Sequence, residues 1–329
     1  MLLTDKQIKS HPDYTFIKSY NFCSVGISSI TCHPNTKEVY FANYNGEIEN
    51  FERTIKLQQN TDKISKILFL DDENLLSHGK EQFTIWNEDK EKIVQFQPNK
   101  EWTRSVTLFK NETIVLTAGK ERDGIKKFHL QDLYKQKFEP FSTLPIKNNW
   151  IYSIANIKDK YYGFSMGEEN YQIRSLENDE KLKTFHKKSF KTNLCCLYIE
   201  HLDYLVLGNY DHSLVFVDVS SEDPSEWDIF KDLNLKGSIP SIISLPNNRL
   251  AASHYKGSIS IIDLNSLEII IVLTTGNDDI DDLVLVNGKY LYACDEKGNV
   301  YVWNVNNVPE RFINQLKKQQ NLDIKFYFL

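Results

Sequence analysis

Apolar and polar positions alternate in short runs along most of this chain, and the runs come in pairs. In Tyr290–Val305, reading YLYACDEKGNVYVWNV, two apolar-aromatic runs flank the polar turn Asp295-Glu296-Lys297-Gly298. β-Branched and aromatic residues favour extended backbone, and glycine relieves the positive φ of a tight turn, so the stretch predicts a β-hairpin. The pattern recurs upstream. Polar turns at Asn45-Gly46, His78 to Glu81, Asp123-Gly124, Glu168 to Asn170, Asp211-His212, Lys256-Gly257 and Lys297-Gly298 precede EIENFE, QFTIWN, IKKFHL, YQIRSL, SLVFVD, SISIID and NVYVWN.

Taking Phe51, Trp86, Phe128, Ile173, Phe216, Ile262 and Trp303 as equivalent gives spacings of 35, 42, 45, 43, 46 and 41 residues. That is near the propeller-blade period of about 40–45 residues. Each unit also carries an apolar strand before its hairpin: ISSITCHP, ISKILFL, RSVTLF, WIYSIANI, TNLCCLYI, IPSIISLP and IDDLVLV. A more polar run follows the hairpin in six units: TIKLQQ, KIVQFQ, KQKFEPF, KLKTFH, WDIFKDL and LEIIIVL. Three apolar strands and one solvated outer strand describe an antiparallel blade that cannot bury its faces alone.

These residues resemble a WD-repeat β-propeller. In that family the third strand of a blade ends in Trp-Asp, which appears here as Trp86-Asn87, Val217-Asp218, Ile262-Asp263 and Trp303-Asn304. The family's Gly-His pair and most of its Asp-His-Ser-Trp network are missing, so the resemblance is to a divergent member. It implies an all-β fold of seven four-stranded antiparallel blades over residues 14–307, after a lead-in at 1–13. The seventh unit lacks an outer strand, and Tyr14–Phe22 is expected to supply it and close the ring, with Asp323–Leu329 as competitor. The tail 308–329 reads as a short amphipathic helix over Pro309–Gln320 and an extended end.

Composition narrows the function. The chain has 329 residues and a formal charge of −6, which gives no basic field for nucleic acid. Its five cysteines, Cys23, Cys32, Cys195, Cys196 and Cys294, are odd in number and lack CxxC spacing, which suggests reduced thiols. The start lacks a signal-peptide core, and the longest apolar run, Leu267 to Leu273, is interrupted by Glu268 and too short to span a bilayer. A cytoplasmic or nuclear protein is expected.

No GxSxG, HExxH, phosphate-cradling glycine loop or HxE…CxxC set is present, so no enzyme, cofactor or metal site is expected. Cys32 and His33 are adjacent on a strand end and point to opposite faces. The acidic run Asn277 to Asp282 has the chemistry to coordinate a hard cation or receive a basic partner peptide, but it lacks the ligand spacing and glycine of a calcium loop, so residues 278–282 read as a solvated rim. The run Glu180–Lys191 carries five lysines, but Phe185 and Phe190 read as core ends of strands. In a propeller, the loop entering each inner strand and the hairpin turn share the face around the channel. Aromatic and arginine side chains there have no blade core to fill. That reasoning selects Trp102, Arg104, Arg122 and Trp150 as a partner-binding cluster, with Tyr44, Tyr210 and Tyr255 around the same face. The expected function is a non-enzymatic scaffold or adaptor in a multisubunit complex. A recognition module for a modified peptide is the alternative, and a propeller hydrolase comes after it.

Overall fold

The computed structural model describes residues 14–58, 63–79, 82–87, 89–99, 103–110, 113–118, 124–146, 151–165, 169–276 and 278–305. They form an all-β propeller of four-stranded antiparallel blades. Seven such sheets occur among the described residues. Six run in chain order from their innermost strands: Ile27–Cys32 (sheet 1), Ile64–Phe69 (sheet 2), Thr103–Leu108 (sheet 3), Ile154–Ile157 (sheet 4), Asn193–Ile199 (sheet 5) and Ile242–Leu245 (sheet 6). Sheet 7 combines Ile280–Val286, Tyr290–Asp295 and Asn299–Asn304 with Thr15–Asn21, which pairs antiparallel to Asn299–Asn304 from Thr15↔Asn304 to Asn21↔Asn299. Consecutive innermost strands are neighbours, and Ile280–Val286 lies beside Ile27–Cys32.

The apolar core is divided into layers between neighbouring sheets. Phe41 and Ile30 of sheet 1 meet Val286 and Val300 of sheet 7. Ile259 and Ile261 of sheet 6 meet Leu291, Tyr301 and Trp303. Fully burying one such side chain contributes about 1.5–3 kcal/mol, which a sheet without its neighbours would forgo. The period-2 alternation of each strand places residues on both faces, so nearly every central strand is apolar on both sides. Trp86 and Trp303, the Trp-Asp equivalents, are both buried in these layers.

Hairpin turns are held by side chains as well as by glycine. Asp295 Oδ1 accepts from the backbone N–H of Lys297 (2.9 Å) and Asn299 (2.8 Å), and Asn43 Oδ1 does the same for Asn45 and Glu47. Gly298 takes φ +81° in the first of these turns. One element departs from the expected pattern. KQKFEPF is not the outer strand of sheet 3: a short helix at Leu130–Tyr134 buries Leu130 and Leu133, and the outer strand is Ser142–Leu144. The helix displaces the pairing segment by several residues, and LQDLY has neither strand alternation nor β-branching to resist it.

Candidate functional site

A channel runs between the innermost strands, and the sequence builds it by repeating one quartet. Ile27-Ser28-Ser29-Ile30, Ile64-Ser65-Lys66-Ile67, Thr103-Arg104-Ser105-Val106, Ile151-Tyr152-Ser153-Ile154, Asn193-Leu194-Cys195-Cys196, Ile239-Pro240-Ser241-Ile242 and Ile280-Asp281-Asp282-Leu283 occupy corresponding places. The first residue of every quartet is buried. In sheets 1, 2, 3, 5 and 7 the strand register slips just after it. A bulge of this kind re-aims the next side chain. The second residues of all seven quartets accordingly line one cavity of ≈340 Å³.

The third residues tie the sheets together. Ser29 Oγ donates to Asp282 Oδ2 at 2.9 Å and accepts from Ile67 N at 3.2 Å. His78 Nδ1 faces Thr103 O at 3.2 Å. Ser105 Oγ accepts from Ile154 N at 3.1 Å, and Ser153 Oγ lies 2.9 Å from Cys196 Sγ. Cys195 Sγ reaches Ile239 O at 3.2 Å, and Ser241 Oγ returns to Asp282 Oδ1 at 2.9 Å. The circuit passes through every sheet. Asp282 is its hub, receiving in addition Lys66 Nζ at 2.7 Å and the N–H groups of Ile30 and Leu283 at 3.0 Å. Asp282 is 2 % exposed, so the reading of residues 278–282 as a solvated rim is corrected there. A buried carboxylate is tolerated because each lone pair finds a donor.

At the mouth, Tyr44 Oη donates to Asp281 Oδ2 at 2.6 Å, and Lys63 Nζ lies 3.8 Å from the Tyr44 ring centroid. Burial pushes the Asp281 carboxyl up to about 6, against the opposing pull of Tyr44 and Lys63. Burial pushes Lys63 down. Arg104, also pushed down by burial, lies with its guanidinium carbon 5.4 Å from the Tyr152 ring centroid. Burial and then the charges of Asp281 and Asp279 raise the Tyr255 hydroxyl. Tyr210, 58 % exposed, is linked to Tyr255 through Ser238, whose Oγ donates to Tyr210 O at 2.6 Å and whose carbonyl accepts from Tyr255 N at 3.0 Å. Gly26 permits the close approach of sheets 7 and 1 here, since a Cβ on it would lie 2.5 Å from Glu296 O and 2.9 Å from the Tyr44 ring.

Of the residues selected from sequence, Tyr44 binds Asp281, Tyr210 and Tyr255 are joined through Ser238, and Arg104 lines the channel cavity. Trp102, Arg122 and Trp150 lie outside the described residues, as do residues 1–13 and the tail 308–329. Asp281, Asp282, Lys63, Lys66 and Tyr152 were not selected. The signal for four of them was present in the quartet alignment, which sets Asp282 against Ser29, Lys66 and Ser241. Phe185 and Phe190 of the basic run are both buried in the core, Phe185 from the strand Lys181–His186 but Phe190 from a 3-10 helix at Lys188–Thr192 rather than from a strand end. His33 Nδ1 accepts from the N–H groups of Asn35 and Thr36 in a turn.

A wider groove of ≈960 Å³ lies at the opposite ends of the inner strands of sheets 2 to 5. Its charged walls pair within themselves, Lys110 with Asp159 at 3.2 Å and Lys160 with Glu222 at 3.7 Å. Burial pushes the Cys196 thiol up to about 12 and raises Cys195 and Cys294 well above the usual thiol range, so none forms a thiolate near neutrality. Among the described residues, no three His, Cys, Asp or Glu side chains are grouped to hold a metal ion, and no helix is long and apolar enough to cross a membrane. No family model matches the chain, and no curated protein matches it in sequence.

Proposed function

We propose that this chain is a non-enzymatic interaction platform, an adaptor subunit of an intracellular complex that holds protein partners on the loop face around its channel. In this reading the seven sheets are seven blades of one WD-repeat-like ring, and Thr15–Asn21 closes it. Propeller folds commonly serve as such platforms, and fold analogy supplies part of the argument. The observation that carries it is the division of labour between the two layers of quartet residues. The third residues, with Asp282 at their hub, are consumed in holding the ring together. The second residues and the adjoining turns present tyrosines and charges to the channel and its mouth, with Tyr210 the most exposed large apolar side chain among the described residues. Tyrosine and arginine dominate binding hot spots, and a rigid mount lowers the entropic cost of engaging them.

Affinity capture with the tagged full-length protein tests the reading. Tyr210→Ala with Tyr255→Ala should lose the partners captured by the wild type while the melting temperature stays put. Phe230→Ala, on the exposed outer strand of sheet 5, should retain them. Retention by the tyrosine pair together with loss by the outer-strand variant would move the interaction surface to the rim and overturn the proposal.

A further inference from the structure

On the face opposite the Tyr44–Asp281 mouth, the turns joining the first and second strands of sheets 2 to 5 line the groove of ≈960 Å³. Its floor is apolar and incompletely covered. Leu70, Leu108, Leu197 and Tyr198 pack against the core, remain only partly buried, and all border the groove. At its rim the carboxylates of Asp71 and Glu200 are exposed and form no ion pair among the described residues. An apolar strip with a polar rim is the form of surface that receives an amphipathic helix.

The chain leaves the blades on this same face. Val305 N donates to Lys289 O at 2.9 Å, in the turn between the first two strands of sheet 7. Leu176 makes the equivalent bond to Lys160 in sheet 4, and Val219 to Asp203 in sheet 5, and in both the chain then turns into an outer strand. In sheet 7 that outer place is held by Thr15–Asn21. It is thus already filled where residues 306–329 begin.

The sequence of that segment matches the groove. Phe312, Ile313 and Leu316 recur at helical spacing. Residues 306–329 carry four cations, Arg311, Lys317, Lys318 and Lys325, against Glu310 and Asp323, in a chain whose net charge is −6. Sheets 2 and 5, at the ends of the groove, each stand two sheets from sheet 7, about 20 Å at about 10 Å per sheet. Residues 306–311, fully extended, reach about 20 Å.

We propose that residues 309–320 dock as an amphipathic helix in the groove of their own chain, with Phe312, Ile313 and Leu316 on the floor formed by Leu70, Leu108, Leu197 and Tyr198. Tethering makes the encounter intramolecular, which favours this occupant over a second copy or a separate partner. The cations of the segment meet a rim where Asp71 and Glu200 lack counter-charges. The docked segment covers this end of the channel and leaves the tyrosine-bearing mouth on the open side. The inference does not rest on the platform reading, and its test reads only contacts within the chain.

That test uses the full chain with Phe312→p-benzoylphenylalanine, a photo-crosslinker, and locates the adducts by mass spectrometry after irradiation. Adducts should form within one chain, on the segments that carry Leu108 and Leu197. Adducts between two chains would give the groove to a second copy, adducts confined to sheets 1, 6 and 7 would place the segment elsewhere, and a lack of adducts would leave it undocked. Each of these overturns the inference. Amide exchange supplies an independent reading. Phe312→Glu with Leu316→Glu should speed exchange by at least about tenfold at the hydrogen-bonded amides of Leu70, Lys110 and Lys160, and leave the strand Tyr290–Asp295 unchanged. Unchanged exchange at the groove, or an equal rise in both places, overturns it as well.

Discussion

Lys66 and Asp282 stand 216 positions apart in the chain, yet the lysine Nζ lies within 2.7–2.8 Å of both carboxylate oxygens across the inner ring. The lysine side chain is partly open to the channel, whereas the aspartate side chain is 3 % exposed. The pair therefore belongs to the hydrogen-bonded circuit rather than to the surface. Asp282→Ala strips partners from Ser29, Ser241, Lys66 and two backbone amides at once, and the expected cost is about 3–5 kcal/mol. Lys66→Met leaves the other four donors in place and should cost about 1–2 kcal/mol. Urea denaturation of the two variants checks the ordering.

A second buried charge pair links sheets 3 and 4. Lys127, 1 % exposed, places Nζ 2.8 Å from Asp179 Oδ1 and donates to Leu176 O at 2.6 Å. Tyr162 and Ser142 also donate to Asp179. Lys127→Met should destabilise by about 3–5 kcal/mol, because Asp179 is left without its counter-charge. Lys127→Met combined with Asp179→Asn, which tolerates the φ of +62° and keeps an acceptor for Tyr162 and Ser142 without the charge, should recover more than half of that loss. A double-mutant cycle showing simple additivity would count against the pairing.

Arg249 anchors one end of sheet 7's outer strand pair, where Thr15 faces Asn304, to sheet 6. Its guanidinium donates to the Tyr14 hydroxyl and to Val305 O, the latter at 2.7 Å, while Nε donates to Pro246 O at 2.8 Å. Arg249→Met should cost about 2–4 kcal/mol, and Tyr14→Phe about 1 kcal/mol. Amide exchange should rise first in Thr15–Asn21. If exchange rises uniformly instead, the arginine acts on the whole fold and not on that strand.

The pH dependence has a definite sign. Burial pushes His78 down to about 3 and His254 to about 4, from an ordinary 6.5. The unfolded chain takes up these protons below pH 6.5 and the folded chain refuses them, so stability falls as pH drops from 6.5 towards 4. Asp281, raised from 3.8 to about 6, works in the opposite direction: the folded state holds its proton first, so stability gains as pH falls through 6. Burial raises Asp295 as well, in the same direction as Asp281; the two histidines outweigh these carboxyls, and the net loss between pH 7 and pH 5 is roughly 1–3 kcal/mol. Denaturation midpoints at the two pH values measure it. His78→Gln and His254→Gln should flatten the difference, and Asp281→Asn should enlarge it.

The repeat was legible because blade-to-blade similarity survives wherever a strand must be apolar on both faces. The turn-strand units from EIENFE to NVYVWN mark third strands of the sheets for that reason. The outer strand of sheet 3 was not legible, since KQKFEPF has the composition of an edge strand while the pairing falls on Ser142–Leu144. Edge strands pack on one side only, and their sequence is weakly constrained. The channel was partly legible. Tyr44, Tyr210 and Tyr255 stand out as large side chains in turns, but Asp282 resembles its acidic neighbours until the quartets are superposed. Its burial depends on donors from three other sheets, which no local window of sequence contains.

The hub also sets an order of events during synthesis. Ser29 and Ile67 emerge from the ribosome long before the carboxylate at position 282 that completes their circuit. At about 5–20 residues per second, the early inner strands wait on the order of 10–50 s with one side of their ring unmade. Over that interval the nascent chain exposes strand edges to its neighbours, so chaperone demand should be highest just before the last quartet is translated.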